Sequence, residues 1–258
     1  MKQEMMLSYG TLQIPCVLTT PESGLVERIV LGVHGLGGST TDDIQSSLAE
    51  EMAYFDSAML RFDFPAHGES PADSSELNLD NCINSLLTVA RKGRELYPEV
   101  EDLCIFATGF GAYITLLALD ELWEMPGTVK LVVQTPSFLM HKSILSMKNI
   151  SRPTLQAMGK VTFRAARPFD ITYPFFQEME EHIALAAYPI PILILHTDKD
   201  IYIPMEDVKN FRRLNERSKL VIIHGAGHRF LEEGAWDMVL DLTRDWFNYE
   251  QVLLEDWI

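Results

Sequence analysis

Leu103-Cys104-Ile105-Phe106-Ala107-Thr108-Gly109-Phe110-Gly111, continuing into Ala112-Tyr113-Ile114-Thr115-Leu116-Leu117-Ala118-Leu119, is the stretch that decides the fold. Leu103 to Phe106 form an apolar run that reads as a buried strand, and Ala112 to Leu119 read as a packed helix. Between them the chain turns on Ala107-Thr108-Gly109-Phe110-Gly111. A strand that passes sharply into a helix on small residues is the setting of the G-x-S-x-G elbow, whose central serine is held out as a nucleophile. Here the central residue is Gly109, which has no side chain with which to attack.

Working outward, strands are predicted at Leu12 to Leu18, Arg28 to Val33, Ser57 to Phe62, Val129 to Val133, Ile192 to Leu195 and Lys219 to Ile223. Helical signals fall between them. Thr40 or Thr41 caps a helix running to about Met52, and Leu79 to Tyr97 has apolar residues at helical spacing with Pro98 to end it. Further helices are expected at Met205 to Leu214 and Leu231 to Asn248. Strands alternating with helices imply a mostly parallel sheet covered on both faces. One α/β core domain, residues 1–139 and 190–258, is expected, interrupted by residues 140–189. That insertion is rich in Met, Phe, Arg and Pro. It includes a hairpin signal around Lys160 to Phe163 and Asp170 to Tyr173, and a helix from Pro174 to Ala187. An insertion of such length is uncommon without a task, and lids are a frequent one.

The 258 residues carry a formal net charge of −16 and 47% hydrophobic residues, enough for a substantial core. The acidity argues against nucleic acid and anionic membrane surfaces, which demand a basic footprint. No apolar run approaches the roughly 20 residues that span a bilayer, and the N-terminus lacks a secretory signal pattern. Cys16, Cys82 and Cys104 are widely spaced and read as buried thiols, so a cytoplasmic protein is expected.

Four signals sit where predicted strands end, the edge at which open α/β sheets bind ligands. His34-Gly35-Leu36-Gly37-Gly38 is a glycine-rich turn whose N–H groups can face a developing oxyanion. The Gly109 turn is the second. His196-Thr197-Asp198-Lys199-Asp200 places an acid after a buried strand, and Gly225-Ala226-Gly227-His228 ends in a histidine. The order of turn, acid and base is that of a nucleophile–acid–histidine triad, with Asp200 and His228 the natural pair.

These segments, with Arg61-Phe62-Asp63-Phe64-Pro65-Ala66-His67-Gly68-Glu69-Ser70 and Ile203-Pro204, resemble the α/β-hydrolase superfamily. The similarity is greatest to intracellular bacterial feruloyl/cinnamoyl esterases and monoacylglycerol-lipase-like serine hydrolases, and it runs over nearly the whole chain. The resemblance implies an eight-stranded, mostly parallel sheet with residues 140–189 as the substrate-covering lid. It implies Asp200 as triad acid, preferred to Asp198 for its spacing to Ile203-Pro204, and His228 as general base. The N–H groups of Leu36 and Phe110 become the oxyanion hole, and His67 is structural. His224 reads as a core histidine, and no ligand spacing around His196 supports a metal. Neither metal nor cofactor is called for, and the expected partner is a small-molecule ester or acyl compound. Apolar lid residues leave a homodimer open.

The departure lies at the attacking position. Loss of the serine costs a hydrolase of this kind roughly 10⁶-fold in turnover. Thr108 points elsewhere in an elbow, and Cys104 lies within the strand. Three readings stay open: an ester hydrolase impaired by loss of its serine, a protein that binds a small acyl or aromatic ligand without turnover, and an acid–base enzyme in which His228 and Asp200 activate water or a substrate proton. Met147, Met158, Phe163, Phe169, Phe175 and Phe176 in the lid suggest an apolar or aromatic acyl group, or serve ordinary lid packing.

Overall fold

The computed structural model describes residues 1–248, so residues 249–258 of the expected core segment lie outside the described part. Eight strands form one sheet in the order β1-β2-β4-β3-β5-β6-β9-β10. They are β1 (Lys2–Tyr9), β2 (Leu12–Thr19), β3 (Arg28–Val33), β4 (Ser57–Phe62), β5 (Asp102–Thr108), β6 (Thr128–Gln134), β9 (Ile192–His196) and β10 (Lys219–Ile222), with β7 (Lys160–Phe163) and β8 (Phe169–Thr172) set apart in the insertion. β1 and β2 are antiparallel to their neighbours, and every pairing from β4 to β10 is parallel. The parallel strands are apolar on both faces because both faces are covered. Ile29, Leu31 and Val33 of β3 pack into one core, while Val30 joins the other.

α2 (Leu79–Leu96), α3 (Gly109–Leu117) and α4 (Leu119–Trp123) lie on the first face with α8 (Met205–Leu214), whose Val208 and Phe211 join that core; α1 (Asp43–Tyr54) and α9 (Ala235–Asn248) lie on the second. The expected caps of α1 shift by one or two residues. Its N-cap is Asp42, because the N–H of Thr40 is donated to Asp63 Oδ1 at 2.7 Å and holds that residue in the preceding loop. α9 begins at Ala235 rather than Leu231, since Phe230 and Gly234 both take left-handed backbone.

Between β6 and β9 the inserted segment contains α5 (Met140–Lys148), α6 (Arg152–Met158), the hairpin β7 (Lys160–Phe163) and β8 (Phe169–Thr172), and α7 (Tyr173–Glu181). α7 is shorter than the helix expected to Ala187. The chain beyond it is pinned extended: Tyr113 Oη donates to the His182 carbonyl at 2.6 Å, and Ala184 N–H donates to Phe138 O at 3.0 Å. Polar ties hold the segment to the core. Arg167 donates to the carbonyls of Ser70 and Ala72, and Glu178 accepts the first N–H of α2 at 2.9 Å. All three cysteines are buried free thiols, and burial pushes the Cys104 thiol up to about 12. No helix among the described residues is long and apolar enough to cross a membrane.

Candidate active site

The turn from β5 into α3 is built by two glycines for different reasons. Gly109 has φ +47°, the left-handed region that costs other residues roughly 1–3 kcal/mol. A Cβ there would meet nothing nearer than the Thr135 carbonyl oxygen at 3.9 Å, so its side opens on free space. Gly111 is closed in: a Cβ would lie 2.5 Å from His34 O and 2.6 Å from Val33 O, so α3 can rest on β3 only because this residue has no side chain. Facing Gly109 across the β6 end, β-branched Thr135 takes φ 40°. Its N–H donation to Leu195 O at 2.8 Å helps hold that strained backbone in place.

Beside this turn stands the loop that follows β3. His34 is fully buried, with Nδ1 2.8 Å from Gly35 O and Nε2 3.1 Å from the N–H of Phe64. An amide must donate and a carbonyl must accept, so the proton sits on Nδ1 and the ring is neutral. Burial holds its pKa down at about 4, against the Gly35 carbonyl that favours charge. His67, 5.2 Å from it between ring centroids, is held still lower, at about 3, by burial and by that neighbour. Asp63 ties the same loops by accepting N–H groups of Thr40 and Glu69.

Across the sheet, the β9 and β10 ends supply the titratable pair. His228 Nδ1 lies 2.7 Å from Asp200 Oδ2. A carboxylate only accepts, so Nδ1 donates and Nε2 is the ring nitrogen left facing away from Asp200. The Asp200 carboxyl is 1% exposed, and its other oxygen accepts the N–H groups of Tyr202 at 2.8 Å and Ile203 at 3.0 Å. Burial raises the Asp200 pKa, but the His228 bond and the two N–H bonds outweigh it and hold the group below the usual carboxylate range. His196 lies buried 4.0 Å from the same oxygen, and burial lowers its pKa. Asp198 pairs instead with His224 at 2.9 Å on the surface. His224 is therefore not a core histidine: β10 ends at Ile222, and His224 sits in the exposed turn beyond it.

One cavity of about 790 Å³ joins the two sides. Leu36, Gly109, Phe110 and His228 all line it, and Asp200 stands directly behind His228. Of the residues of the inserted segment singled out by sequence, Met147, Phe163 and Phe169 reach this cavity. Phe175 and Phe176 are core packing, and Met158 is exposed to solvent. Gln45, Gln134, Lys148, Arg164 and Arg229 also line the cavity and were not anticipated. Gln134 was within reach, since it ends an apolar strand at the ligand-binding edge; Gln45 lies unremarked on a helix.

No protein-family model matches the sequence, and no curated protein matches it. Solved structures do. The monoglyceride lipase of Saccharomyces cerevisiae, in complex with a substrate analogue, superposes with a TM-score of 0.79 at 14% identity, over 95% of this chain and 94% of its own. Est1E of Butyrivibrio proteoclasticus, solved with ferulic acid bound, gives 0.75 at 17% identity over 93% and 96%. Mouse alpha/beta hydrolase domain-containing protein 10 gives 0.73 at 16% over 94% and 97%. With an eight-stranded sheet of this order and a strand–turn–helix at Gly109, the chain has the α/β-hydrolase fold.

Proposed function

We propose that this chain is a protein of the carboxyl-ester hydrolase type that binds a small acyl compound beneath residues 140–189 and forms no acyl-enzyme, because position 109 offers no nucleophile. The observation that carries the proposal is the His228–Asp200 pair at 2.7 Å, set into the same cavity as Leu36, Gly109 and Phe110. Asp200 fixes the ring and its tautomer, and His228 Nε2 is the base. The N–H groups of Leu36 and Phe110 are the oxyanion donors for the oxygen of a carbonyl whose carbon lies above Gly109. Binding of ferulic acid and of a substrate analogue by similar folds supports an acyl or aromatic ligand here. Three free, buried thiols suit a reducing compartment, and we place the chain in the cytoplasm.

The test is Gly109→Ser, assayed on short nitrophenyl esters and a methyl hydroxycinnamate. The unmodified chain is expected to bind without turnover, and the variant to hydrolyse with an acyl-enzyme burst. A folded, soluble Gly109→Ser protein with no esterase activity would sink the proposal. A second reading draws on the room above Gly109, which would admit a water beside His228. On that reading the unmodified chain turns over an ester, and His228→Ala abolishes it.

A further inference from the structure

The cavity wall carries charge of the opposite sign to the chain. Against a formal net charge of −16, three cations, Lys148, Arg164 and Arg229, line the cavity and one acid, Asp42. Among the described residues none of the three is in an ion pair. Arg229 faces Asp42 at longer range and opposes the burial that raises its pKa. The pair on the inserted segment has no such compensation. Lys148 Nζ sits 3.9 Å from the centroid of the Phe163 ring and donates to the Thr162 carbonyl. Burial, and then the charge of Arg164, lower its pKa. Two like charges turned toward one cavity are stabilised by an anion between them.

A second observation is independent of charge. Gln45 and Gln134 are each 2% exposed and line the same cavity. The Gln45 amide packs against Gly32 of β3, whereas Oε1 of Gln134 has no hydrogen-bond partner in the protein. Buried amides without partners are costly and uncommon, and in a cavity they mark positions that a polar ligand satisfies. A long hydrocarbon chain would leave the Gln134 amide unsatisfied and Lys148 without a counter-ion.

We propose that the ligand is an acyl compound bearing a carboxylate, which Lys148 and Arg164 hold at the inserted segment. Gln134 bonds a polar group of it, and its ester carbonyl lies over Gly109. This rests on the acyl-ligand reading above and names the substrate class within it. Lys148 and Arg164 belong to the insertion while Gly109 and His228 belong to the core, so the ligand bridges the two.

Calorimetric titration of the full chain with monomethyl suberate and dimethyl suberate tests the proposal, the probes being matched in length and differing in one negative charge. The half-ester is expected to bind at least tenfold tighter at low salt, with the preference shrinking as salt rises. Lys148→Gln with Arg164→Gln should bring the ratio of the two affinities close to one. Arg164→Gln alone, at an exposed rim position, should lower it about threefold, and Lys209→Gln on α8 should leave it in place. Equal affinities, tighter binding of the diester, or no binding of either would overturn the proposal. Gly109→Ser separates this from the wider reading. If that variant hydrolyses both esters with equal kcat/KM, the anion site fails and the hydrolase reading stands. If it hydrolyses neither while the half-ester still binds through Lys148, the anion site stands and the hydrolase reading fails.

Discussion

On the β9–β10 side of the sheet edge, Asp200 and His228 are held by charge and by three hydrogen bonds at 2.7 to 3.0 Å. On the β3–β5 side, Gly111 and the neutral rings of His34 and His67 are held by close packing and burial, and Gly109 keeps a left-handed turn that opens on the cavity. The first side is defined by its side chains and could not survive their loss. The second is defined by a backbone path, and that path is at ease with a hydrogen atom where an attacking group would stand. A strand–turn–helix of this shape is therefore maintained by sterics, whatever its central residue could or could not do chemically.

The largest effects should come from joining the two sides again. In a Gly109→Ser background, His228→Ala is expected to cost about 10⁶-fold in kcat and Asp200→Asn about 10⁴-fold. Steady-state hydrolysis of a nitrophenyl ester measures both. Losses below tenfold would mean that the restored hydroxyl and the existing pair do not face each other.

Acid should separate the sides next. His34 and His67 have pKa values depressed to about 4 and about 3, below the 6.5 of an unfolded histidine. Between those limits the unfolded chain takes up protons that the folded chain refuses, so stability rises with pH and is lost on acidification. Descent from pH 6.5 to 5 should cost about 3 kcal/mol for the two rings together. Asp200 is held low and keeps its contribution through that window, losing it only below the ordinary carboxylate range. His141 and His196, also lowered by burial, add loss of the same sign. Urea midpoints across the range measure the total. His67→Asn, which keeps a donor toward the Pro65 carbonyl and does not titrate, should flatten the slope. An unchanged slope would remove His67 from the account.

The same contrast explains what could be read in the sequence. β3 and β4 have the bounds expected of them, because a strand buried on both faces is a continuous apolar run with abrupt ends. β1 gave no such signal: six of its eight residues are exposed, and its pairing with β2 rests on backbone hydrogen bonds that side chains do not announce. α5 and α6 are short, and α6 depends on the Ser151 cap and a proline in its first turn rather than on apolar periodicity. Around the cavity, Asp200, His228 and the turn at Gly109 stand after the strands where the sequence places them, because a glycine or polar residue that breaks an apolar run marks the end of a strand. Gln45 and Lys148 gave no such signal, since they meet the cavity only when distant segments close around it.

Gly111→Ala probes the fit of the second side directly. Its Cβ would stand 2.5 to 2.9 Å from backbone atoms of Val33 and His34, which cannot rotate away. Overpacking of this kind costs about 2–3 kcal/mol, so a thermal melt should fall by roughly 4–12 °C. An unshifted melt would show that α3 moves off β3 freely and that close packing does not hold this side.

The smallest expected effect is the stability of Gly109→Ser itself. The added side chain meets no clash, with the nearest atom 3.9 Å away, so packing contributes little in either direction. What remains is the backbone: at φ +47° a residue with a Cβ is strained where glycine is not. The cost should be about 1–2 kcal/mol, or roughly 2–8 °C in Tm, alongside a gain of several orders of magnitude in hydrolysis. Stability and activity would then move in opposite directions through one atom group, the signature of a strained functional residue. A variant that melts higher than the unmodified chain would show that the turn relaxes away from left-handed backbone when serine occupies it, and with that the hydroxyl would no longer project toward His228.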